Sequence, residues 1–333
     1  MKKMQCNRKF LLLVLSAVLL LTGCSVRADT EKPNETLSPP AAAEKPPLPE
    51  KLSLNAQGVP VLKVYDTDEE ATKEMDLETY LLGVLAGEMK NDWPMEALKA
   101  QAILARTFVL KFCTEKESKY QGADISTDIE EAQAYDETGI NERIEQAVAE
   151  TKGLVLSHEG ELPYAWFHAH SGGTTALAKE GLAYKKDEPG YTKITEGKES
   201  EKAPDDAEKW RAEFPVKIFI KGAKEAGWDG KEESVQSIKT GNTGESGRAE
   251  TILINDIPVS APELRIALGS SVMRSTLLDK LVLDENKIIM EGKGYGHGVG
   301  MPQWGAYGMA EEGKRAEEIV TYYFQDVTVE KMW

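Results

Sequence analysis

One acidic residue, Glu88, continues an apolar helical stripe. The residues before it on that stripe follow helical spacing and are Leu77, Tyr80, Leu81, Val84 and Leu85. A carboxyl group on an apolar face is partly removed from water, and desolvation raises its pKa toward neutrality. Such a group can donate a proton near pH 7, as the general acid of a glycosidase must. Glu88 is therefore the candidate acid; the alternative is a helix-end glutamate that points to solvent.

Two cations lie on one face of the helix that is expected to follow. Lys99, Ile103 and Arg106 are spaced by four and three positions, which places them on the same side of a helix. Two positive charges beside an apolar residue, near Glu88, can orient a substrate or hold a carboxylate. The alternative is a solvated basic stripe.

Histidines are concentrated in motif-like stretches. His168 and His170 project to one face if residues 166–170 form a strand. Together with His297 they could ligate zinc. No nearby cysteine or acidic residue at ligand spacing completes a metal signature, so the zinc site is the weaker interpretation and no cofactor is expected.

The strongest local signal is the glycine-rich segment 294–308. It is not a dinucleotide-binding fingerprint, because the glycine spacing is wrong and Pro302 interrupts the helix that would bind phosphate. Dense glycines allow the backbone to approach a ligand closely. Flat rings suited to sugars and hydrogen-bonding side chains accompany them: Tyr295, His297, Gln303, Trp304 and Tyr307. The segment indicates a carbohydrate site; the alternative is a glycine-rich turn in the core.

Composition excludes several classes of partner. The chain has 333 residues, is 41% hydrophobic and carries a net charge of −16. The hydrophobic fraction is sufficient for a core. The acidic balance argues against nucleic acid as a partner and against electrostatic attraction to anionic lipids. Any membrane attachment must therefore be covalent or apolar.

The N-terminus predicts a covalent attachment. A basic stretch precedes the apolar run Phe10–Leu21, which is too short to span a bilayer comfortably and is typical of a signal peptide. The run ends in Leu21-Thr22-Gly23-Cys24, which resembles a bacterial lipoprotein signal and implies cleavage before a lipidated Cys24. The alternative is an uncleaved anchor helix. In either case we expect the body on the extracytoplasmic face of the membrane.

Cysteine usage agrees with this assignment. Cys6 lies in the signal peptide and Cys24 at the lipid site, so Cys113 alone remains and the mature body has no intramolecular disulfide. Cys113 ends an apolar helical run and is expected to be a small buried residue.

The chain divides into a signal peptide (1–23), a proline-rich linker (24–55) and a folded body (56–333). The body mixes short strands with helices and does not alternate regularly, which favours a single irregular α+β domain with Glu88 on a helix. Residues 115–140 and 185–210 are expected to be loops, the second mobile and on the surface. Other expected elements are strands at 59–65, 216–220, 234–239 and 251–254, a strand pair at 154–157 and 164–169, a hairpin at 280–291, and helices at 94–112, 141–151, 263–268 and 317–324.

Three blocks of the body, taken in order, resemble one family. The first joins Glu88-Met89 to residues 93–107, the second is His-Ala-His-Ser-Gly-Gly-Thr at 168–174, and the third spans 296–306. Together they resemble the stage II sporulation protein D / amidase-enhancer family, over roughly residues 60–333. Pro302 departs from the serine that the family often has.

The resemblance implies a peptidoglycan lytic transglycosylase that acts during engulfment in spore formation. Its substrate would be the MurNAc–GlcNAc bonds of glycan strands stripped of stem peptides by a partner amidase, and its product a 1,6-anhydro-MurNAc end. Glu88 falls on the family's catalytic glutamate. The expected substrate-binding residues are Lys99, Gln101, Arg106, His168, Ser171, Tyr295, His297 and Gln303.

The chemistry implied by the resemblance needs one carboxyl group, which first protonates the leaving oxygen and then takes the proton from the sugar's own O6 hydroxyl. Paired-acid glycosidases need two. Two alternatives remain open. One is a non-catalytic module that recruits or activates an amidase, and the other is the zinc hydrolase. The lipid anchor also leaves open a role in vegetative wall turnover.

Overall fold

The computed structural model describes residues 45–231 and 234–333, so the predicted signal peptide and Cys24 lie outside the described residues. The helices are α1 (Leu77–Glu88), α2 (Met95–Glu115), α3 (Glu142–Glu150), α4 (Ala178–Leu182), α5 (Asp205–Glu208), α6 (Val216–Glu225), α7 (Ala261–Ala267), α8 (Gln303–Glu311) and α9 (Ala316–Tyr323). The strands are β1 (Ser53–Leu54), β2 (Pro60–Asp66), β3 (Ala71–Asp76), β4 (Ile125–Ser126), β5 (Leu154–His158), β6 (Phe167–His168), β7 (Lys209–Pro215), β8 (Ile238–Thr240), β9 (Thr251–Ile254), β10 (Ile257–Ser260), β11 (Leu278–Asp284), β12 (Lys287–Lys293), β13 (Met301–Pro302) and β14 (Val327–Lys331). Within 45–231 and 234–333, no helix is both long and apolar enough to cross a bilayer.

The predicted α+β class is confirmed. The strands form small sheets with the orders β1-β2-β3 (with β4 beside β2), β10-β9-β8, β11-β12-β7, β13-β6 and β14-β5. Most pairs are antiparallel, while β2–β4 and β6–β13 are parallel. Such small sheets cannot bury a core by themselves, so the helices complete it.

Helix α2 is the centre of the main core. Every residue from Ala97 to Cys113 is buried except the half-buried Lys99, Phe108 and Lys111. A helix that is buried all round must be covered on every side, and α2 packs against α1, α3, α8, α9 and β5. Cys113 is buried, as predicted.

A second apolar core lies in residues 205–293. The sheet β11-β12-β7, the sheet β10-β9-β8 and helices α6 and α7 enclose it. The main-chain N–H of Gly294 donates to the Glu208 carbonyl at 2.7 Å, which brings the two ends of this segment together. The glycine-rich segment therefore begins where the chain returns to the main core.

Some expected elements differ from the structure. Residues 216–220 were expected to be a strand but begin helix α6, because Val216, Phe219, Ile220 and Ala223 are buried at helical spacing. The expected pairing of 154–157 with 164–169 is also wrong. β5 pairs with β14 and β6 pairs with β13, both distant in sequence.

Two segments are less peripheral than expected. Leu52 is buried and β1 pairs with β2, so the folded body begins before residue 56 and the end of the predicted linker belongs to it. In the expected surface loop 185–210, Tyr191, Thr192 and Ser200 are buried. Neither segment has an apolar period, so their burial depends on long-range contacts that composition does not reveal.

Candidate active site

A cavity of about 410 Å³ lies at the C-terminal end of α1. Glu88 and four of the predicted substrate-binding residues line it: His168, Tyr295, His297 and Gln303. Other lining residues were not predicted as site residues and include Phe108, Ile129, Gln133 and Trp166. The structure thus brings the first, second and third sequence blocks to one cavity.

Glu88 is half-buried and held at both carboxyl oxygens. The main-chain N–H of Ala134 donates to Oε1 at 2.7 Å, and Nε2 of Gln303 lies 3.3 Å from Oε2. Desolvation by burial raises the pKa of Glu88 to about 7, while the two hydrogen bonds oppose the rise. The carboxyl group is therefore divided between its protonated and ionised forms at neutral pH.

Glycines in α1 allow the Ala134 main chain to reach Glu88. A Cβ on Gly87 would lie 2.7 Å from the Tyr135 nitrogen, and one on Gly83 would lie 2.3 Å from the Tyr135 ring. The main-chain N–H of Asp136 also donates to the Gly83 carbonyl at 2.9 Å. A helical glycine costs about 1 kcal/mol relative to alanine, and here two of them form a groove for the segment 133–136. This glycine pair is the signal in the sequence for that contact, and the contact was not predicted from it.

The short parallel pair β6–β13 aligns the histidine segment with the glycine-rich segment. A Cβ on Gly300 would lie 2.1 Å from the Trp166 carbonyl, and one on Gly296 would lie 2.5 Å from the His168 Cβ. These two glycines serve packing against β6 and its flanks. They were expected to let the backbone approach a ligand.

Both cavity histidines are neutral at neutral pH. Burial and the nearby charge of Arg248 lower the pKa of His168 well below its usual value, and burial with the Arg265 and Arg248 charges lowers the pKa of His297 to about 3. Nδ1 of His168 lies 3.2 Å from the Val299 carbonyl oxygen, which can only accept, so Nδ1 carries the proton. Nε2 of His168 is then a buried acceptor with no partner among the described residues.

Ser171 and His170 do not line this cavity. The Ser171 main-chain N–H donates to Oε1 of Glu199 at 2.7 Å, and Nδ1 of His170 lies 3.6 Å from the same oxygen. Both residues therefore hold the segment around Glu199, and the substrate contact predicted for Ser171 has no counterpart in the lining of this cavity. In the described part of the chain, no group of three histidine, cysteine or acidic residues is placed to hold a metal ion. The zinc interpretation thus lacks its ligand set.

Lys99, Gln101 and Arg106 lie elsewhere on α2 and do not line the cavity. Lys99 forms ion pairs with Glu96 at 2.8 Å and Glu150 at 2.5 Å. Gln101 is fully buried, and neither amide atom has a partner among the described residues. Arg106 is fully buried and pairs with Glu78 at 2.6 Å. Helical spacing placed Lys99 and Arg106 on one face of α2. It could not show that the groups they meet are carboxylates of this chain.

The chain is similar to proteins of one family. Residues 65–158 match the family model described as "Stage II sporulation protein". The chain is 32% identical to stage II sporulation protein D of Bacillus amyloliquefaciens, over 80% of this chain and 77% of that protein. It is 30% identical to stage II sporulation protein D of Bacillus subtilis (strain 168), over 87% and 84% respectively. It is also 29% identical to the amidase enhancer of the same strain, over 75% of this chain and 40% of that protein.

Proposed function

The chain belongs to the stage II sporulation protein D family, and from that premise we propose that it is a peptidoglycan lytic transglycosylase of sporulation. It cleaves the MurNAc–GlcNAc bonds of glycan strands that have lost their stem peptides. One observation carries the proposal. The carboxyl group of Glu88, with a pKa of about 7, lies in a cavity that is lined by polar and aromatic side chains. Mass spectrometry of denuded strands incubated with the protein tests it, because the products must carry 1,6-anhydro-MurNAc ends.

Glu88 acts first as acid and then as base. Protonated Glu88 gives its proton to the glycosidic oxygen as the bond from that oxygen to C1 of MurNAc breaks. The resulting carboxylate takes the proton of the MurNAc O6 hydroxyl while O6 bonds to C1. The ring closes, the GlcNAc hydroxyl leaves, Glu88 is again protonated, and no water is consumed.

The rest of the cavity supports a single-carboxyl mechanism. Of the described residues that line it, only Glu88 carries a carboxyl group. A retaining glycosidase would place a second carboxylate about 5 Å away as nucleophile. Gln303 fixes the Glu88 carboxyl through its amide, and the flat rings of Trp166 and Tyr295 offer faces for sugars.

The pH profile of cleavage follows from the raised pKa of Glu88. The first step needs the protonated carboxyl, which predominates below pH about 7. We expect kcat/KM on denuded strands to fall above pH 7, approaching about tenfold per pH unit. Initial rates between pH 5 and 9 measure this. A profile that stays flat to pH 9, with strand binding also unchanged, contradicts the role of Glu88 as acid.

Gln133 is expected to bind the substrate. Its side chain lines the cavity, is 2% exposed, and has no hydrogen-bond partner at either amide atom among the described residues. Leaving a buried amide unpaired costs about 1–3 kcal/mol, and an N-acetyl group offers the matching donor and acceptor. We expect Gln133→Leu to raise KM roughly tenfold without lowering the thermal midpoint. Unchanged KM in a folded variant contradicts this role.

The amidase-recruiting function remains the second candidate, because a protein named amidase enhancer is similar to this chain over 75% of the chain's length. Under that function, Glu88→Gln would stimulate a cell-wall amidase as well as the original protein does. An assay of peptide release from intact peptidoglycan, with amidase alone and with each protein added, separates the two functions. A partner amidase is also part of the lead proposal, since it supplies the denuded strands.

We propose the extracytoplasmic face of the membrane as the location, with a lipid on Cys24. The support is the Leu21-Thr22-Gly23-Cys24 sequence after a short apolar run. Labelling with a radioactive fatty acid tests the assignment, and Cys24→Ala should remove both the label and the membrane association.

A further inference from the structure

A second cavity, of about 570 Å³, adjoins the one that contains Glu88. Phe108 and Trp166 line both cavities, so they form a shared wall. A polymer bound in the first cavity would enter the second if it extends past these two side chains.

Aromatic rings form one side of the second cavity. The Tyr164 and Trp166 rings are stacked, with centroids 5.1 Å apart and planes at 14°. Tyr184 lies edge-on to Trp166 at 5.7 Å. All three side chains are half-buried, so part of each remains available to a ligand. The accessible parts of such flat rings can pack against the apolar faces of sugars.

The charged residues that line this cavity are three lysines and two glutamates, which leaves an excess of one positive charge. Lys111 pairs with Glu115 at 2.6 Å, and Lys185 pairs with Glu263 at 2.8 Å. Within residues 45–231 and 234–333, no carboxylate lies within ion-pair distance of Lys116 or Lys186, although both line the cavity.

Lys116 is also placed beside an aromatic ring. Its Nζ lies 6.0 Å from the centre of the Tyr164 ring. Lys116 and Lys186 thus form no ion pair with a described residue and lie at a cavity lined by aromatic rings, in a chain whose net charge is −16. Lys186 also interacts with Glu115 at longer range.

We propose that this second cavity is a subsite for a MurNAc residue with a free lactyl carboxylate, which Lys116 and Lys186 bind. The inference rests on the proposed glycan substrate. In an intact strand the stem peptide is joined to the lactyl group through a neutral amide, and amide hydrolysis leaves a carboxylate. The two lysines therefore distinguish denuded MurNAc by the carboxylate on its lactyl group, a position that is neutral in the peptide-bearing strand. This gives a physical reason for action after an amidase.

Binding measurements in the Glu88→Gln protein test the subsite without catalysis. The probes are a MurNAc-containing tetrasaccharide with free lactyl carboxylates and the same tetrasaccharide with those groups converted to methylamides. We expect the carboxylate form to bind roughly tenfold more tightly, as befits two exposed charge contacts. Adding Lys116→Gln and Lys186→Gln should remove that difference and leave the affinity for the methylamide form unchanged.

The matched control is Lys221→Gln with Lys239→Gln in the same Glu88→Gln protein. Both lysines are exposed and lie among the elements of the second core. Their substitution removes the same net charge as Lys116→Gln with Lys186→Gln. The control should keep the preference for the carboxylate form. Raising the ionic strength should weaken the preference in the control, whereas the Lys116/Lys186 variant should show no preference at either ionic strength.

The outcomes separate the subsite from the proposed reaction. Equal affinity for the two tetrasaccharides, binding of neither, or a preference that survives Lys116→Gln with Lys186→Gln overturns the subsite. A charge preference that these substitutions remove, in a protein whose original form cleaves no strand, supports the subsite and overturns the transglycosylase instead.

Discussion

Glu88→Gln is expected to abolish formation of 1,6-anhydro ends from denuded strands. Glutamine matches the shape of glutamate and can still accept the Ala134 hydrogen bond, but it cannot donate a proton to the glycosidic oxygen. General acid–base catalysis contributes about 10²–10⁴-fold. Because one group performs both proton transfers here, we expect a loss at or beyond the upper end of that range. Mass spectrometry of the products over a time course measures it.

The thermal stability of Glu88→Gln is the control for this prediction. The pKa of Glu88 determines whether the substitution raises or lowers that stability. The folded-state pKa of about 7 exceeds the ordinary value of 4.5, so the folded protein binds this proton more tightly. The favourable contribution is complete below pH about 4.5 and is lost as the pH rises through 7. The total loss over this pH range is about 3 kcal/mol of the free energy of unfolding. Glu88→Gln should therefore raise the thermal midpoint more at pH 8 than at pH 5.

A folded Glu88→Gln protein that still releases anhydro ends would overturn the assignment of Glu88 as the acid. If neither protein cleaves strands but both stimulate an amidase, the recruiting function replaces the lead proposal.

Arg106→Met is expected to destabilise the protein by about 3–5 kcal/mol, because it leaves Glu78 without its buried partner. Arg106 is fully buried. Its Nε and Nη2 donate to the two Glu78 carboxyl oxygens at 3.1 and 2.6 Å, and Nη1 donates to the Leu154 carbonyl at 3.0 Å. Urea denaturation, with the free energy of unfolding extrapolated to water, measures the loss.

Two further variants identify the cause. Arg106→Met combined with Glu78→Gln should recover part of the stability, because the uncompensated carboxylate is removed. Lys99→Met should cost about 1 kcal/mol or less, since the ion pairs of Lys99 are closer to solvent. Unchanged stability of Arg106→Met with a raised KM would instead restore the substrate-binding role that the sequence predicted.

Gln303 and Ala134 show why site residues can be harder to place than helices. Gln303 is 215 positions from Glu88 and Ala134 is 46 positions away, yet both contact its carboxyl group. The glycine-rich segment suggested Gln303 as a hydrogen-bonding residue, but nothing local indicated its partner. Ala134 contributes only a main-chain N–H, which any residue type carries, so its identity gives no signal apart from the glycines of α1 that make room for it.

Features that depend on neighbours along the chain could be predicted from the amino-acid sequence. Helical periodicity placed Glu88 at the end of an apolar stripe, local patterns predicted the hairpin of β11 and β12, and three ordered motif blocks indicated the family. Three contacts became known only from the folded structure: Arg106 pairs with Glu78, Ser171 and His170 lie against Glu199, and β5 pairs with β14. The physical reason is that periodicity fixes a side chain's direction around its own helix or strand. The group that it then meets is set by the packing of elements that lie far apart in sequence.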